Sequence, residues 1–408
     1  MIHLLPSQAG GGVEMNTEIT LRKKAVHLDL QGTKKTEIAR RLNKSRLWVH
    51  RWVSRYDARF PEESLQNRSC APKEIKETYP KKIKALVLRS RQERQARKRP
   101  AYKYALIGAE AIHYELRELS ISPLPPARTI HAWLKQARFI KERKEKTRKP
   151  PNLTYPVLSC KAVNAIHELD LKGPFYLKGS SQKYYLVVLR DVYGKKVALQ
   201  VLTEKEMEPV IDFLVASWQN TGRPKCLQMD NGLEFRGSNR YPRSLGKLAR
   251  VCLDLGVEPV FIPTREPWRN GVIENLNGLI QRLFLKAQTF ETEKHLHTET
   301  KKLETAINTT HRLPALDGKT PQEFSAKVHL RSMPSGYDWR TRKLRLLKGK
   351  VSFIRLVRKS GRITLTANDK FFIGKTYKWQ YVLAVVIVHQ KRLNIYLNNK
   401  LIKSFAYK

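Results

Sequence analysis

Cys226-Leu-Gln-Met-Asp-Asn-Gly-Leu-Glu-Phe235 decides how the centre of this 408-residue chain is read. Its opening, Cys226–Met229, has the length and apolar character of a buried strand. Asp230 then opens a tight turn, and Gly232 allows a sharp exit from it. A carboxylate at such a strand end is well placed for chemistry, because ligand groups in helix-covered sheets gather there.

Two more acids stand in settings of the same kind. Ala165–Leu171 reads as a strand that carries Asp170, and a carboxylate has no reason to stand mid-strand unless it faces a site. Asn270-Gly-Val-Ile-Glu274 reads as a helix start, with Asn270 as its cap. At about 100° per residue, Ile273, Leu276, Ile280 and Leu283 share one face of that helix. Glu274, Asn277, Gly278 and Gln281 share the neighbouring, polar one. Three acids from separate elements can hold two Mg²⁺ ions, which prefer oxygen ligands and suit displacement at phosphorus. Other acids compete. Glu168 shares the strand face of Asp170 and is a substitute ligand or supporting group. Asp191 and Glu234 read as turn residues, Glu234 alternatively as a DNA contact, and Glu258 and Glu266 as loop acids.

Further β-type runs at Tyr184–Arg190, Val197–Leu202 and Pro259–Ile262 alternate with helical patterns at Glu204–Asn220, Ser244–Leu255, Asn270–Lys286 and Glu293–Thr310. The expectation is an α/β core, a mixed sheet with flanking helices, over residues 156–332.

Charge identifies the partner class. The net charge is +43, which points to nucleic acid. Residues 1–150 hold 35 Lys+Arg against 15 acids, net +20; residues 151–330 hold 25 against 19, net +6; residues 331–408 hold 19 against 2, net +17. Two basic ends thus flank a nearly neutral, acid-bearing centre. The four cysteines (Cys70, Cys160, Cys226, Cys252) have neither disulfide nor zinc spacing. His295 and His297 read as a solvated face. With no leader evident and the apolar run Tyr381–Val388 too short for a bilayer, the expectation is a soluble protein of the bacterial cytoplasm or nucleoid, with no membrane partner.

The ends carry their own patterns. Residues 1–15 are expected to be disordered. Residues 16–75 read as three short helices with a turn at Asn43-Lys44-Ser45 and a Thr33 cap, a helix-turn-helix whose third helix offers Arg46, Arg51 and Arg55 to a major groove. Residues 76–140 read as a second helical DNA-binding unit (Ile83–Ala96, Gly108–Leu119, Ala127–Ala137), with Arg128 at its last helix. Residues 141–155 form a basic linker. Residues 337–408 read as a small antiparallel β-barrel, with strands at Val351–Val357, Arg362–Thr366, Tyr381–Val388, Leu393–Leu397 and Leu401–Phe405.

His167-Glu-Leu-Asp170, Leu189-Arg-Asp-Val-Tyr-Gly194, Gln228-Met-Asp230-Asn-Gly-Leu-Glu-Phe235 and Pro267-Trp-Arg-Asn270-Gly-Val-Ile-Glu274-Asn resemble the catalytic core of retroviral integrases and insertion-sequence transposases, the DDE group with an RNase H-like fold. The resemblance implies that Asp170, Asp230 and Glu274 are the catalytic and metal-binding triad, with Mg²⁺ as cofactor and Mn²⁺ able to substitute. It implies a transposase that cleaves transposon ends and transfers the 3′-OH into target DNA as a homo-oligomer on double-stranded DNA, whether or not an accessory ATPase takes part. Arg236, Arg265 and Arg269 would position phosphates. A nuclease of the same fold and an inactive DNA-binding repressor are the alternatives. Three departures stand out. His167 occupies a position where Trp is frequent, the sequence lacks the pattern of the His/Cys zinc module of retroviral integrases, and the 43 residues between Asp230 and Glu274 exceed the roughly 35 of the retroviral pattern.

Overall fold

A computed structural model describes residues 11–68, 78–141, 154–156, 158, 160–237, 243–263, 266–344, 348–366 and 369–407. They form two compact units, 1–78 and 79–408.

The first unit is built from α1 (Gly11–Leu30), α2 (Lys35–Leu42), α3 (Arg46–Arg55) and a short α4 (Pro61–Ser64). Ala25, Ile38, Ala39 and Val49 form its core, and Val26, Trp52 and Leu65 extend it. The turn expected at Asn43–Ser45 is present. Asn43 adopts a left-handed φ of 51° and closes α2, while the Ser45 hydroxyl accepts from the Trp48 amide and opens α3. Thr33 does not cap α2; Lys34 is the residue at its N-cap and makes no side-chain cap bond. Residues 1–10 lie outside the described residues, and Gly11–Met15 belong to α1, against the disorder expected of them.

In the second unit, α5 (Lys81–Ala96), α6 (Ala109–Glu118) and α7 (Ala127–Gln136) pack around Val87, Ile112, Leu116, Ile130 and Leu134. The α/β core follows: β1 (Ile166–Phe175), β2 (Tyr184–Asp191), β3 (Val197–Leu202), α8 (Met207–Thr221), β4 (Cys226–Met229), α9 (Leu233–Arg236), α10 (Lys247–Asp254), β5 (Glu258–Phe261), α11 (Gly271–Ile280), α12 (Glu293–Thr309) and α13 (Pro321–Ser325). After α11 the chain continues as a π-turn, Gln281–Leu285, that turns both Leu283 and Phe284 inward. The tail supplies β6 (Lys350–Leu356), β7 (Arg362–Thr364), β8 (Lys370–Phe372), β9 (Tyr381–Ile387), β10 (Arg392–Leu397) and β11 (Lys400–Ala406).

One nine-stranded sheet runs β11-β10-β9-β6-β5-β4-β1-β2-β3. It is mixed and flanked by helices, as expected. Leu169, Val187, Leu227 and Met229 face α8 and α10 on one side, where Trp218 and Cys252 are fully buried. Leu186, Val188 and Val201 face α11 and α12 on the other. At the β3 edge, Asn308 of α12 accepts from Val197 N (2.9 Å) and donates to Val197 O (2.7 Å), while Glu304 accepts from Leu199 N (2.7 Å). Among the described residues no helix is long and apolar enough to cross a membrane.

The tail corrects one expectation. It is not a self-contained barrel, because β6 pairs in parallel with β5 (Val260↔Ser352, Phe261↔Phe353) and thereby continues the core sheet. The reason is packing. Phe261 and Phe353 stack at 5.1 Å, and Val351, Val382, Leu393 and Ile395 share one core with Leu227 and Met229. The β7–β8 hairpin, with a strand at β8 that periodicity missed, forms a separate small sheet.

The helical segment is tied to the core by Glu299 of α12. Its carboxylate accepts from Lys103 (2.5 Å), Lys302 (2.9 Å) and the Tyr104 hydroxyl, while His311 bonds the Tyr104 carbonyl (2.7 Å). Burial pushes the Glu299 carboxyl up, but those three donors outweigh it and hold it at about 2. A depressed carboxylate contributes stability above its unfolded value, lost as pH falls through the folded one. Glu299→Gln is therefore expected to cost on the order of 2–3 kcal/mol at pH 7, with the gap to the unmodified chain closing from about pH 4.5 towards pH 2 in urea titrations.

Candidate active site

Parallel pairing sets the geometry of the acids. Ile166, His167 and Glu168 pair with Cys226, Leu227 and Gln228. Extending that register brings Asp170 level with Asp230, just past the end of β4, on neighbouring strands roughly 4.8 Å apart. Pairing of β4 with β5 brings Ile262 level with them in turn. Helix α11 lies over this edge, its Ile273, Leu276 and Ile280 buried and Glu274 exposed. Asp170, Asp230 and Glu274 together line one cleft of 350 Å³, with Ile262, Asn270, Ile273 and Asn277.

Each carboxylate has its own environment. Asp170 accepts from the Asn277 side-chain amide (2.5 Å), and burial raises its pKa against that bond. Asp230 accepts from Gly232 N–H (2.8 Å), the tight turn read from the sequence; burial raises its pKa, with Glu234 and Asp170 adding repulsion. The Asn277 Oδ1 atom is buried and has no hydrogen-bond partner among the described residues. Among the described residues no three His, Cys, Asp or Glu side chains are already gathered tightly enough to hold one ion. Asp170 is turned onto Asn277 and Asp230 onto its own turn.

Glu168 takes a different part from Asp170. It is buried, and its Oε2 accepts from Ile273 N–H (2.7 Å) in the first turn of α11. Burial pushes its carboxyl up to about 7, against the Ile273 amide and the nearby Arg190. Arg190 in turn donates to Val272 O (3.2 Å). The expected Asn270 cap is thus replaced: Asn270 makes no cap bond, and its Oδ1 instead accepts from Gln228 (2.8 Å), which also reaches Glu168 (3.3 Å). A carboxylate in the neighbouring strand is the better acceptor for a helix N-terminus, where exposed N–H groups and the dipole favour negative charge.

The competing acids are engaged. Asp191 accepts from the amides of Asn164, Tyr193 and Gly194, as a turn residue does. Glu234 is buried against Lys205 (3.0 Å). Glu258 belongs to β5 rather than a loop and accepts from Ser352 (2.6 Å). Glu266 accepts from the Tyr381 hydroxyl (2.7 Å) and Arg269 Nε (3.1 Å). His167 is buried; the Trp218 indole N–H can only donate, so Nδ1 accepts (3.3 Å) and Nε2–H donates to Asn164 Oδ1 (2.8 Å). Burial holds its pKa down at about 3.

The arginines are dispersed. Arg46, Arg51 and Arg128 are exposed. Arg55 lies over the Trp52 ring (4.6 Å) and donates to Gln66 O (2.9 Å). Arg236 is half-buried, on the exit from the Asp230 turn. Arg265 lies outside the described residues, as do Cys70 and most of the linker. Arg269 packs over both the Tyr155 and Tyr381 rings (3.9 and 4.9 Å), which meet edge to face at 5.1 Å. Sequence reasoning missed that aromatic cluster and Asn277's bond to Asp170, although Asn277 was on the polar stripe of its helix.

No protein-family model matches the chain, and no curated protein does. Solved structures do. The HTLV-2 integrase catalytic core domain in complex with magnesium, trimeric form, is 20% identical with a TM-score of 0.31, over 40% of this chain and 95% of that one. The simian T-cell lymphotropic virus intasome in complex with PP2A regulatory subunit B56 gamma is 18% identical, TM-score 0.34, over 61% and 79%. The BIV integrase catalytic core domain is 17% identical, TM-score 0.30, over 40% and 95%.

Glu168→Leu, which removes the acceptor of a buried amide, is expected to destabilise the fold by about 1–3 kcal/mol. Glu168→Gln keeps an acceptor oxygen and is expected to lose less, in urea unfolding at pH 7.

Proposed function

We propose that the chain is a DNA transposase of the integrase type, which cuts at the ends of a mobile element and drives the freed 3′-OH into target DNA. The observation that carries this reading is one cleft lined by three carboxylates from a strand, a strand end and a helix, in a chain of net charge +43. Those carboxylates and the unpartnered Asn277 oxygen make an all-oxygen donor set suited to Mg²⁺, with Mn²⁺ as substitute. Bound there, such ions would supply charge stabilisation to the attacking and leaving oxygens of an in-line displacement at phosphorus.

The chain's own residues do the rest. Glu168 and Arg190 hold the start of α11 and so fix where Glu274 begins its reach. Asn277 orients Asp170, and the Gly232 amide orients Asp230. Helices α2 and α3 act as a helix-turn-helix, with Arg46, Arg51 and Arg55 towards a major groove and its phosphates. The helical segment bearing Arg128 is a second DNA-gripping element, and Arg236, Arg265 and Arg269 serve phosphates near the cleft. Joining two ends to one target calls for a multimer on DNA, working where the chromosome is, in a bacterial cytoplasm or nucleoid.

DNA ending in the inverted repeats that flank the coding sequence is the substrate to use. With Mg²⁺ or Mn²⁺ it is expected to be nicked and joined to target, and Asp230→Asn to abolish both steps while still binding. Activity surviving that change sinks the assignment. Cleavage without joined products indicates a nuclease, and binding without cleavage under either metal a repressor. Binding should also fall steeply with salt, and Arg51→Ala is expected to lower the log–log salt slope by about one.

A further inference from the structure

The parallel run β1-β4-β5-β6 gathers four strand C-termini on one edge of the sheet. Past Asp230 and Ile262 on that edge lies a second groove, of 640 Å³. Asn231, Arg236, Arg355, Arg358, Thr364 and Thr366 are among its lining residues. It begins one residue after a catalytic candidate and is walled by the tail.

Arg355 forms the buried side of this groove. Its guanidinium donates to the carbonyls of Phe261 (3.2 Å), Ile262 (3.0 Å), Ile354 (2.9 Å), Thr364 (2.9 Å) and Leu365 (3.0 Å), and to Asn231 Oδ1 (2.6 Å). All six acceptors are neutral, so none cancels the cation, and a fixed positive potential remains beneath the groove. Glu266 also lines it, but already serves Arg269 and Tyr381.

At the end of β6, Trp379 presents a second oddity. It is 50% exposed and has a φ of +64°, a conformation that disfavours any residue with a Cβ and suits glycine. Its amide donates to Val357 O (2.8 Å), between Leu356 and Arg358, both of which line the groove. An indole half exposed in that conformation offers its flat apolar face to a ligand.

We propose that the groove takes a single DNA strand leaving the carboxylate cleft, its phosphates over Arg355 and Arg358 and an unpaired base stacked on Trp379. This rests on DNA being the substrate. A base stacked on an aromatic ring is tolerant of sequence, so the site grips a frayed end without reading it.

The test is fluorescence anisotropy with the full chain in EDTA, using a labelled single-stranded oligonucleotide and a blunt duplex. Trp379→Gly is expected to melt no lower than the unmodified chain, because glycine accepts that φ, yet to bind the single strand about ten-fold more weakly. Its affinity for the blunt duplex should change less than about two-fold, a difference too small to carry a stacked base. Trp379→Phe should retain most single-strand affinity, and Arg358→Ala should lower the salt slope. Unchanged single-strand binding in Trp379→Gly, or equal loss on both DNAs, overturns the proposal. Binding in EDTA needs no chemistry. A Trp379 effect in a chain that never cleaves therefore removes the transposase reading and leaves the groove, and the reverse pair of results does the opposite.

Discussion

A carboxylate buried in a sheet, Glu168, holds the first turn of α11 through the Ile273 amide. Much else depends on that bond. A helix lying across a sheet by apolar contact alone can slide by a ridge without great cost, but a helix whose N-terminus is bonded to a named strand residue cannot. The bond fixes the axial position of α11, and Glu274 and Asn277 ride on it. Burial makes the carboxylate costly to ionise, and the Ile273 amide at the helix N-terminus and Arg190 offset part of that cost.

The centre of the chain was legible because its signals are local. Apolar runs of strand length alternate with helical periods, and two of the three acids stand beside a turn or start signal: Gly232 after Asp230, Asn270 before Glu274. Even the face of α11 followed from spacing, with Ile273, Leu276 and Ile280 all buried. Partnership across long separations was not legible. Glu168 and Asp170 look alike as neighbours on one strand face, and only the position of α11 gives them different tasks. Asn270 has the character of a cap and is out-competed by a group 102 residues earlier. The tail reads as a barrel because its strands alternate and turn as barrel strands do. Its attachment depends on two residue pairs between β5 and β6, which no periodicity encodes.

Two cations illustrate the same point. Arg269 reads from sequence as a phosphate-positioning residue, and Arg355 only as part of the positive charge of the tail. Arg355 is buried among carbonyls, and Arg269 packs over two tyrosine rings beside Glu266. Arginine suits both settings because its planar fork can spread bonds over several acceptors and its faces can stack. Counting charge pointed to a partner class, but could not separate the arginines that meet solvent from those that pack against neighbouring side chains and carbonyls.

The side chains on the β3 edge have a consequence for growth of the sheet. Asn308 and Glu304 occupy three of the amide and carbonyl groups that a tenth strand would need there, Val197 N and O and Leu199 N, so that margin is guarded against strand addition. The opposite margin, β11, ends the sheet with its outer backbone row unpaired by any described strand and carries Lys400 and Lys403. The sheet is therefore polar in the sense of a crystal with one face partly passivated: the tail side is the more open to a further strand, and there a like-charged strand is repelled.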